Sequence, residues 1–265
     1  MPLSTDLPSL LVDAHVHLHP CFDLTQFLRA ALANFQRQSD KLGLSGPVTA
    51  ALLLAEVSGV NAFADLASRH KQGNPPADWE ICPTAEAATL WLKHSSGHTL
   101  LIAAGRQAVT QEGIEVLALI TAAAIADRLS LEDTLAAVTA AGGLPVLPWG
   151  VGKWLGKRGQ LVAAQLKAAA GPLFAGDNGG RPGFWPLPDY CQQRLQLPGT
   201  DPLPLAYEVE RAGSFGFVTQ GHLDQDRPGE SLKQLLLGPQ AVVQAYGQPQ
   251  SPWHFLKNQS LLRLS

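Results

Sequence analysis

The first 71 residues alternate between short, strongly apolar runs and longer amphipathic segments. The apolar runs 10–17 and 47–55 have the length and composition of buried strands, and the segments 23–37 and 60–71 have helical periodicity. Parallel strands need a crossover connection between them, and a helix is the usual one. This order therefore predicts a parallel sheet with helices packed on it.

The rest of the chain continues the alternation with one interruption. Between residues 79 and 121, apolar segments follow one another with only polar turns between them, which predicts antiparallel pairing. The length of 265 residues is close to that of a (β/α) barrel, about 250 residues. We therefore expect one domain over 1–265: an α/β fold, a TIM-like (β/α) barrel of about seven or eight strands with an antiparallel hairpin insertion around 79–121.

The composition excludes several classes of partner. A formal net charge of -3 gives no basic field for a nucleic-acid backbone. No apolar run approaches the roughly 20 residues of a membrane helix, and the N-terminal segment lacks the pattern of a secretory signal. The three cysteines have no paired spacing, which argues against a disulfide framework and against a thiolate metal site. We expect a cytoplasmic protein that binds neither nucleic acid nor membrane, and the sequence leaves its oligomeric state open.

The motif Asp-x-His-x-His lies at the end of the first predicted strand. Strand alternation predicts that Asp13, His15 and His17 share one face, so that two imidazoles converge on one point. Imidazole nitrogen suits zinc, iron or manganese, and we expect one or two divalent ions here. The alternative is that both histidines are ordinary core or surface residues. His19 is the next residue of the same alternation. It is either a surface residue or a hydrogen-bond donor to the metal ligands from behind.

Three carboxylates follow other predicted strands. We expect Asp201 and Glu56 to be metal ligands, and Asp201 and Asp177 to be catalytic carboxylates, because strand ends of a barrel meet at one mouth. Each has an ordinary structural alternative. Asp201 suits a turn, Glu56 a helix cap or an ion pair, and Asp177 a pair with Arg181.

Two glycine-containing segments are expected to bind an anionic substrate. Segment 145–160 runs from a strand through a glycine-rich turn into a helix whose start is basic, and such helix starts bind phosphate or carboxylate readily. Segment 175–186 follows the next strand. A solvated basic turn is the alternative for the first segment. The predicted substrate-binding residues are Lys153, Lys157, Arg158, Asn178, Arg181 and Arg106.

Segment 12–19, VDAHVHLH, resembles the opening motif of metal-dependent (β/α)-barrel hydrolases, which include the amidohydrolases and the polymerase and histidinol phosphatase (PHP) superfamily. Segment 105–121 resembles a PHP hairpin, and segment 197–217 resembles the closing PHP motif, with Asp201 in it. The resemblance implies a metal-dependent hydrolase of a small anionic substrate, with a phosphoester ahead of an amide.

Several positions depart from the PHP pattern. Arg106-Gln107 stands where a glutamate is expected, Leu117 where a histidine is expected, and Pro202-Leu203 in place of a final histidine. The resemblance therefore implies a mononuclear or dinuclear site and not a trinuclear one. A non-catalytic protein that binds a small anion or a partner remains the alternative, and an amidohydrolase a further one.

Overall fold

The computed structural model describes residues 7–150, 156–181 and 185–262. Within these ranges the strands are β1 (Ser9–Val16), β2 (Val48–Leu54), β3 (Trp79–Pro83), β4 (Thr89–His94), β5 (Thr99–Ala103), β6 (Gly105–Val109), β7 (Glu115–Leu119), β8 (Leu144–Trp149), β9 (Phe174–Asp177), β10 (Gly216–Gln220) and β11 (Gln244–Tyr246). The helices are α1 (Leu24–Leu42), α2 (Ala62–Lys71), α3 (Leu131–Ala140), α4 (Lys157–Ala168), α5 (Asp189–Gln192), α6 (Pro228–Leu237) and α7 (Pro252–Leu262), with a 3-10 helix at Ala206–Glu210.

These strands form two sheets. The larger has the order β11-β10-β1-β2-β5-β4-β3, and the smaller the order β6-β7-β8-β9. The pairs β1–β2, β2–β5 and β8–β9 are parallel, and the other pairs in the two sheets are antiparallel. The parallel pairing of the first two strands and the antiparallel pairing between 79 and 121 were therefore predicted correctly.

The predicted TIM-like barrel is wrong. The described residues form two sheets and no closed barrel. A barrel of parallel strands needs a crossover helix after each strand, but β3 to β7 follow one another without a helix. Nor is 79–121 an insertion, because β5 pairs with β2 inside the larger sheet and β6 with β7 starts the smaller one. The antiparallel β10 also occupies the edge of β1 where a parallel barrel strand would lie.

The elements pack in four layers. Residues of β1, β2 and β5 meet residues of β7, β8 and β9 in one buried cluster between the two sheets. The outer face of the larger sheet is covered by α1 and α2. The outer face of the smaller sheet is covered by α3 and α4. Both sheets are therefore buried on both faces, which explains why their central strands are apolar almost throughout.

Backbone hydrogen bonds also join the two sheets where β1 and β2 end. The Gln107 N–H, in β6, donates to the Glu56 carbonyl just after β2, at 2.9 Å. The Asp201 N–H donates to the His15 carbonyl in β1, at 2.7 Å. The ends of β1 and β2 are thus fixed against the smaller sheet and against the segment around residue 200.

No helix in the described ranges is both long enough and apolar enough to span a bilayer.

Candidate metal centre

Three predicted ligand side chains converge at the end of β1. The Nε2 atoms of His15 and His17 are 3.1 Å apart, and Asp201 Oδ1 lies 3.6 Å from the first and 3.2 Å from the second. His15 is 2% exposed and His17 7%. Ligand atoms held at about 2.1 Å from one ion are about 3.0–3.4 Å apart, so these separations suit a single coordination sphere. Within the described ranges this is the one such cluster of three.

A fourth side-chain atom comes from the smaller sheet. Gln107 Oε1, on β6, lies 3.0 Å from His15 Nε2. Gln107 stands where the PHP pattern has a glutamate, and so its amide oxygen was not predicted as a ligand. Its position in the hairpin could have identified Gln107 as a candidate ligand, because a glutamine side chain keeps one of the two oxygens of a glutamate.

The pairing of β1 with β2 is irregular where β1 carries His15. Between Asp13 and Val16 the register shifts, because these residues pair with residues of β2 that are only two apart. Leu11 and Val16 consequently face the same helices, although their numbers differ in parity. Because such a shift interrupts strict alternation, the shared face of Asp13 and His15 stays a prediction from the sequence.

Asp13 holds the segment that carries the third candidate ligand. Its buried carboxylate accepts hydrogen bonds from Thr200 N at 2.8 Å, Thr200 Oγ1 at 2.6 Å and Gly213 N at 2.8 Å. Burial raises the pKa of Asp13 to about 6 in spite of these bonds. Gly199 packs so closely against β1 that a Cβ there would lie 2.1 Å from His15 N.

Asp201 reaches the imidazoles through an uncommon backbone conformation. Its φ of 46° lies in the left-handed region, which aspartate enters more often than most residues. Its side chain is oriented by Asn178, whose Nδ2 donates to Oδ2 at 3.0 Å. Asn178 was predicted to bind substrate, and in the structure its side-chain amide contacts the carboxylate of Asp201. Such a contact fixes the orientation of a metal-binding carboxylate.

His19 lies next to the cluster. Its Nε2 donates to the carbonyl of Pro202 at 2.8 Å, and its ring stacks on His17 with 5.4 Å between centroids. Burial lowers the pKa of His19. His19 is half-buried, and its hydrogen bond goes to the backbone of Pro202 and not to one of the three candidate ligands.

Glu56 and Arg106 lie together and outside the cluster. Glu56 accepts a hydrogen bond from Phe63 N, at the start of α2, at 2.7 Å, and its other oxygen lies 3.6 Å from Arg106 Nη1. Burial raises the pKa of Glu56. Arg106 also donates to the Val60 carbonyl at 2.7 Å and to Asn61 Oδ1 at 2.9 Å. Glu56 therefore caps the start of α2 and pairs with Arg106, the two structural roles that the sequence left open for it.

Asp177 and Arg181 form an ion pair with each other. Arg181 Nη2 and Nε donate to Asp177 Oδ2 at 2.9 and 3.1 Å, and Gly179 N donates to Oδ1 at 3.0 Å.

Lys157 and Arg158 are exposed at the start of α4, where Arg158 Nη1 lies 3.4 Å from the Gly113 carbonyl. Lys153 lies outside the described residues.

The chain matches no protein-family model and no curated protein. It is similar in structure to PsfC from Pseudomonas syringae PB-5123, with a TM-score of 0.56, 11% sequence identity, and coverage of 97% of this chain and 99% of that chain. At this identity the likeness concerns the fold alone.

Proposed function

We propose that this chain is a metal-dependent hydrolase of a small anionic substrate, with a phosphoester as the preferred substrate. The observation that carries the proposal is the convergence of His15, His17 and Asp201 within coordinating distance of one point. The likeness of segment 12–19 to the opening motif of metal-dependent hydrolases supports the same function.

The donor set fits a divalent ion. Two imidazole nitrogens and a carboxylate oxygen are a ligand combination of catalytic zinc sites and of iron sites, which keep a position open for water or substrate. His15, His17 and Asp201 would hold one ion, with Gln107 beside them. A bound divalent ion supplies Lewis acidity and lowers the pKa of water to near neutrality.

The surrounding residues hold this donor set in place. Asn178 fixes the carboxylate of Asp201, and Asp13 fixes the backbone of Thr200 next to it. His19 stacks on the ring of His17 and donates a hydrogen bond to the carbonyl of Pro202, next to Asp201. Preorganised ligands of this kind need no rearrangement when the ion binds.

The anionic substrate is supported by the basic helix start at α4, with Lys157 and Arg158 exposed on it. Arg106 and Arg181 support it less, because each already pairs with a carboxylate. Asp177 pairs with Arg181 and lies outside the cluster that contains Asp201, so we assign the proton-accepting role in the site to Asp201.

The proposal is tested by activity on simple esters. The protein is stripped with a chelator, reloaded separately with zinc, manganese or iron, and assayed with 4-nitrophenyl phosphate and 4-nitrophenyl acetate. We expect metal to restore hydrolysis of the phosphate ester and His15→Ala to lower kcat/KM at least about hundredfold. His222→Ala, at an exposed histidine, is the matched control and should keep full activity. Equal rates for the His15 variant and the wild type would refute the proposal.

A second candidate is a non-catalytic protein that binds a metal or a small anion. The pairing of both Glu56 and Asp177 with arginines favours it, because these carboxylates are committed elsewhere. Stoichiometric metal binding without hydrolysis of any ester would decide for this candidate. An amidohydrolase is favoured less, since the described residues add no further histidine to the cluster.

A further inference from the structure

A cavity of about 290 Å³ lies beside the candidate metal centre. One wall runs from Leu18, after β1, to Leu24 at the start of α1, and the other runs from Gly59, before α2, to Arg69 in the last turn of α2. We call it the His19 cavity. Ligand pockets of proteins begin at about 300 Å³, so its size suits a small metabolite and not a polymer.

The His19 cavity shares a wall with the metal centre. His19 lines it, and the same ring stacks on the candidate ligand His17 with 5.4 Å between centroids. His19 is also hydrogen-bonded to Pro202, the residue after the candidate ligand Asp201. A molecule in the cavity therefore lies one side chain away from the imidazoles.

The walls are mainly apolar, with charge on one side. Leu18, Leu24 and Val60 line the cavity and are only half-buried, so they offer apolar surface to an occupant. Two charged residues also line it, Arg69 and Asp65, which lie one turn apart on α2. Asp65 is exposed and Arg69 is half-buried. Among the described residues Arg69 forms no ion pair, whereas Arg106 and Arg181 each pair with a carboxylate.

We propose that the His19 cavity binds the organic part of the substrate, and that this part is a compact apolar group ending in a second anion that pairs with Arg69. This inference rests on the proposed function, because it assumes that the reacting group lies at the metal centre. It names the substrate class as a small phosphoester of a hydrophobic carboxylic acid. A half-buried guanidinium recognises a carboxylate in a bidentate manner, which adds both affinity and geometric selectivity.

Binding of three phosphonates to the zinc-loaded protein tests the inference. Methylphosphonate offers the head group only, phenylphosphonate adds an apolar ring, and 4-phosphonobenzoate adds a carboxylate to the ring. We expect calorimetry to give affinities that rise about tenfold at each addition. Equal affinities for the three ligands would overturn the inference.

Two variants and one control locate the effect. Arg69→Gln should remove the preference for 4-phosphonobenzoate over phenylphosphonate, and Lys71→Gln, at an exposed position on the same helix, should keep it. Val60→Trp should fill the cavity and remove the gain from the ring, while methylphosphonate binds as before. If Arg69→Gln and Lys71→Gln behave alike, the inference is wrong, whatever happens to the fold of the tryptophan variant.

The phosphonates have no ester bond to cleave, so this test and the test of hydrolysis fail separately. A protein that binds them in the expected order but hydrolyses no ester keeps the cavity assignment and loses the hydrolase. A protein that hydrolyses phosphate esters but ignores both substitutions keeps the hydrolase and loses the cavity assignment.

Discussion

Asp177 and Asp201 each follow an apolar segment of the chain, and both were expected to be catalytic, yet they contact different groups. Asp177 accepts two hydrogen bonds from Arg181 and one from the backbone of Gly179. Asp201 lies 3.2 Å from the Nε2 of His17 and 3.6 Å from that of His15. Asp177 ends β9, whereas no strand directly precedes Asp201 in this described part of the chain. The difference teaches that a place at a strand end does not bring a carboxylate to the cluster, and that its neighbours decide.

The largest effects come from neutralising these two carboxylates in turn. Asp201→Asn should weaken zinc binding about hundredfold, since it removes the charged ligand, with little change in stability. Asp177→Asn should lower the free energy of unfolding by about 3 kcal/mol, because Arg181 then stays largely buried beside a neutral group. Zinc competition with a chromophoric chelator and urea unfolding measure the two quantities. If both substitutions weaken zinc binding to a similar extent, the claim that Asp201 and not Asp177 is a ligand is wrong.

A methyl group at Gly199 tests whether the approach of that segment to β1 builds the centre. A Cβ there would lie 2.1 Å from His15 N and 2.7 Å from His15 Cβ, so the backbone must move. We expect Gly199→Ala to lower the free energy of unfolding by about 2 kcal/mol and to weaken zinc binding as well. Gly171→Ala is the control, because a Cβ at Gly171 meets no atom within 4 Å. Full zinc affinity in Gly199→Ala would show that Asp201 does not need this packing.

A substitution at Asn178 tests how much the orientation of the Asp201 carboxylate contributes to zinc affinity. Removing its amide in Asn178→Ala should weaken zinc binding about tenfold, the usual effect of losing a hydrogen bond to a metal ligand. Asn74→Ala, at an exposed asparagine, should leave zinc binding unchanged. A difference of less than twofold between the two variants would mean that Asn178 has no role in the centre.

Glu56 should give the smallest effect, and only on stability. Glu56→Gln keeps an oxygen for Phe63 N but loses the charge near Arg106 and near the start of α2, which should cost about 1 kcal/mol in urea unfolding. Zinc affinity should stay the same. A fall in zinc affinity would show that Glu56 is a ligand, as the sequence predicted.

Local pattern predicted the elements of this fold better than their arrangement. The apolar runs and the helical segments of the first 71 residues correspond to β1, α1, β2 and α2 within a few residues, because burial and periodicity are local properties. The order of the strands depends on contacts that are distant in sequence, such as β10 beside β1. Continuous apolar strands suit a barrel and two stacked sheets equally well, and so the barrel was the wrong choice between them.

The site was predicted in part for a similar reason. His15 and His17 were found because they are two apart in one strand, and Asp201 because its motif resembled a known one. The contacts of Asp13 with Thr200 and Gly213 could not be predicted, because they join residues 187 and 200 apart in sequence. The pairing of Asp177 with Arg181 was foreseen as an alternative, since the two are four residues apart, but sequence alone could not choose between the alternatives.

The central claim is that His15, His17 and Asp201 bind one divalent ion, and equilibrium dialysis of the intact chain against zinc tests it most directly. Elemental analysis of the dialysed wild type should give one zinc per chain. The double variant His15→Ala, His17→Ala, dialysed in parallel, should retain none, and its far-ultraviolet circular dichroism should match the wild type. Equal zinc content in the two proteins would contradict the account.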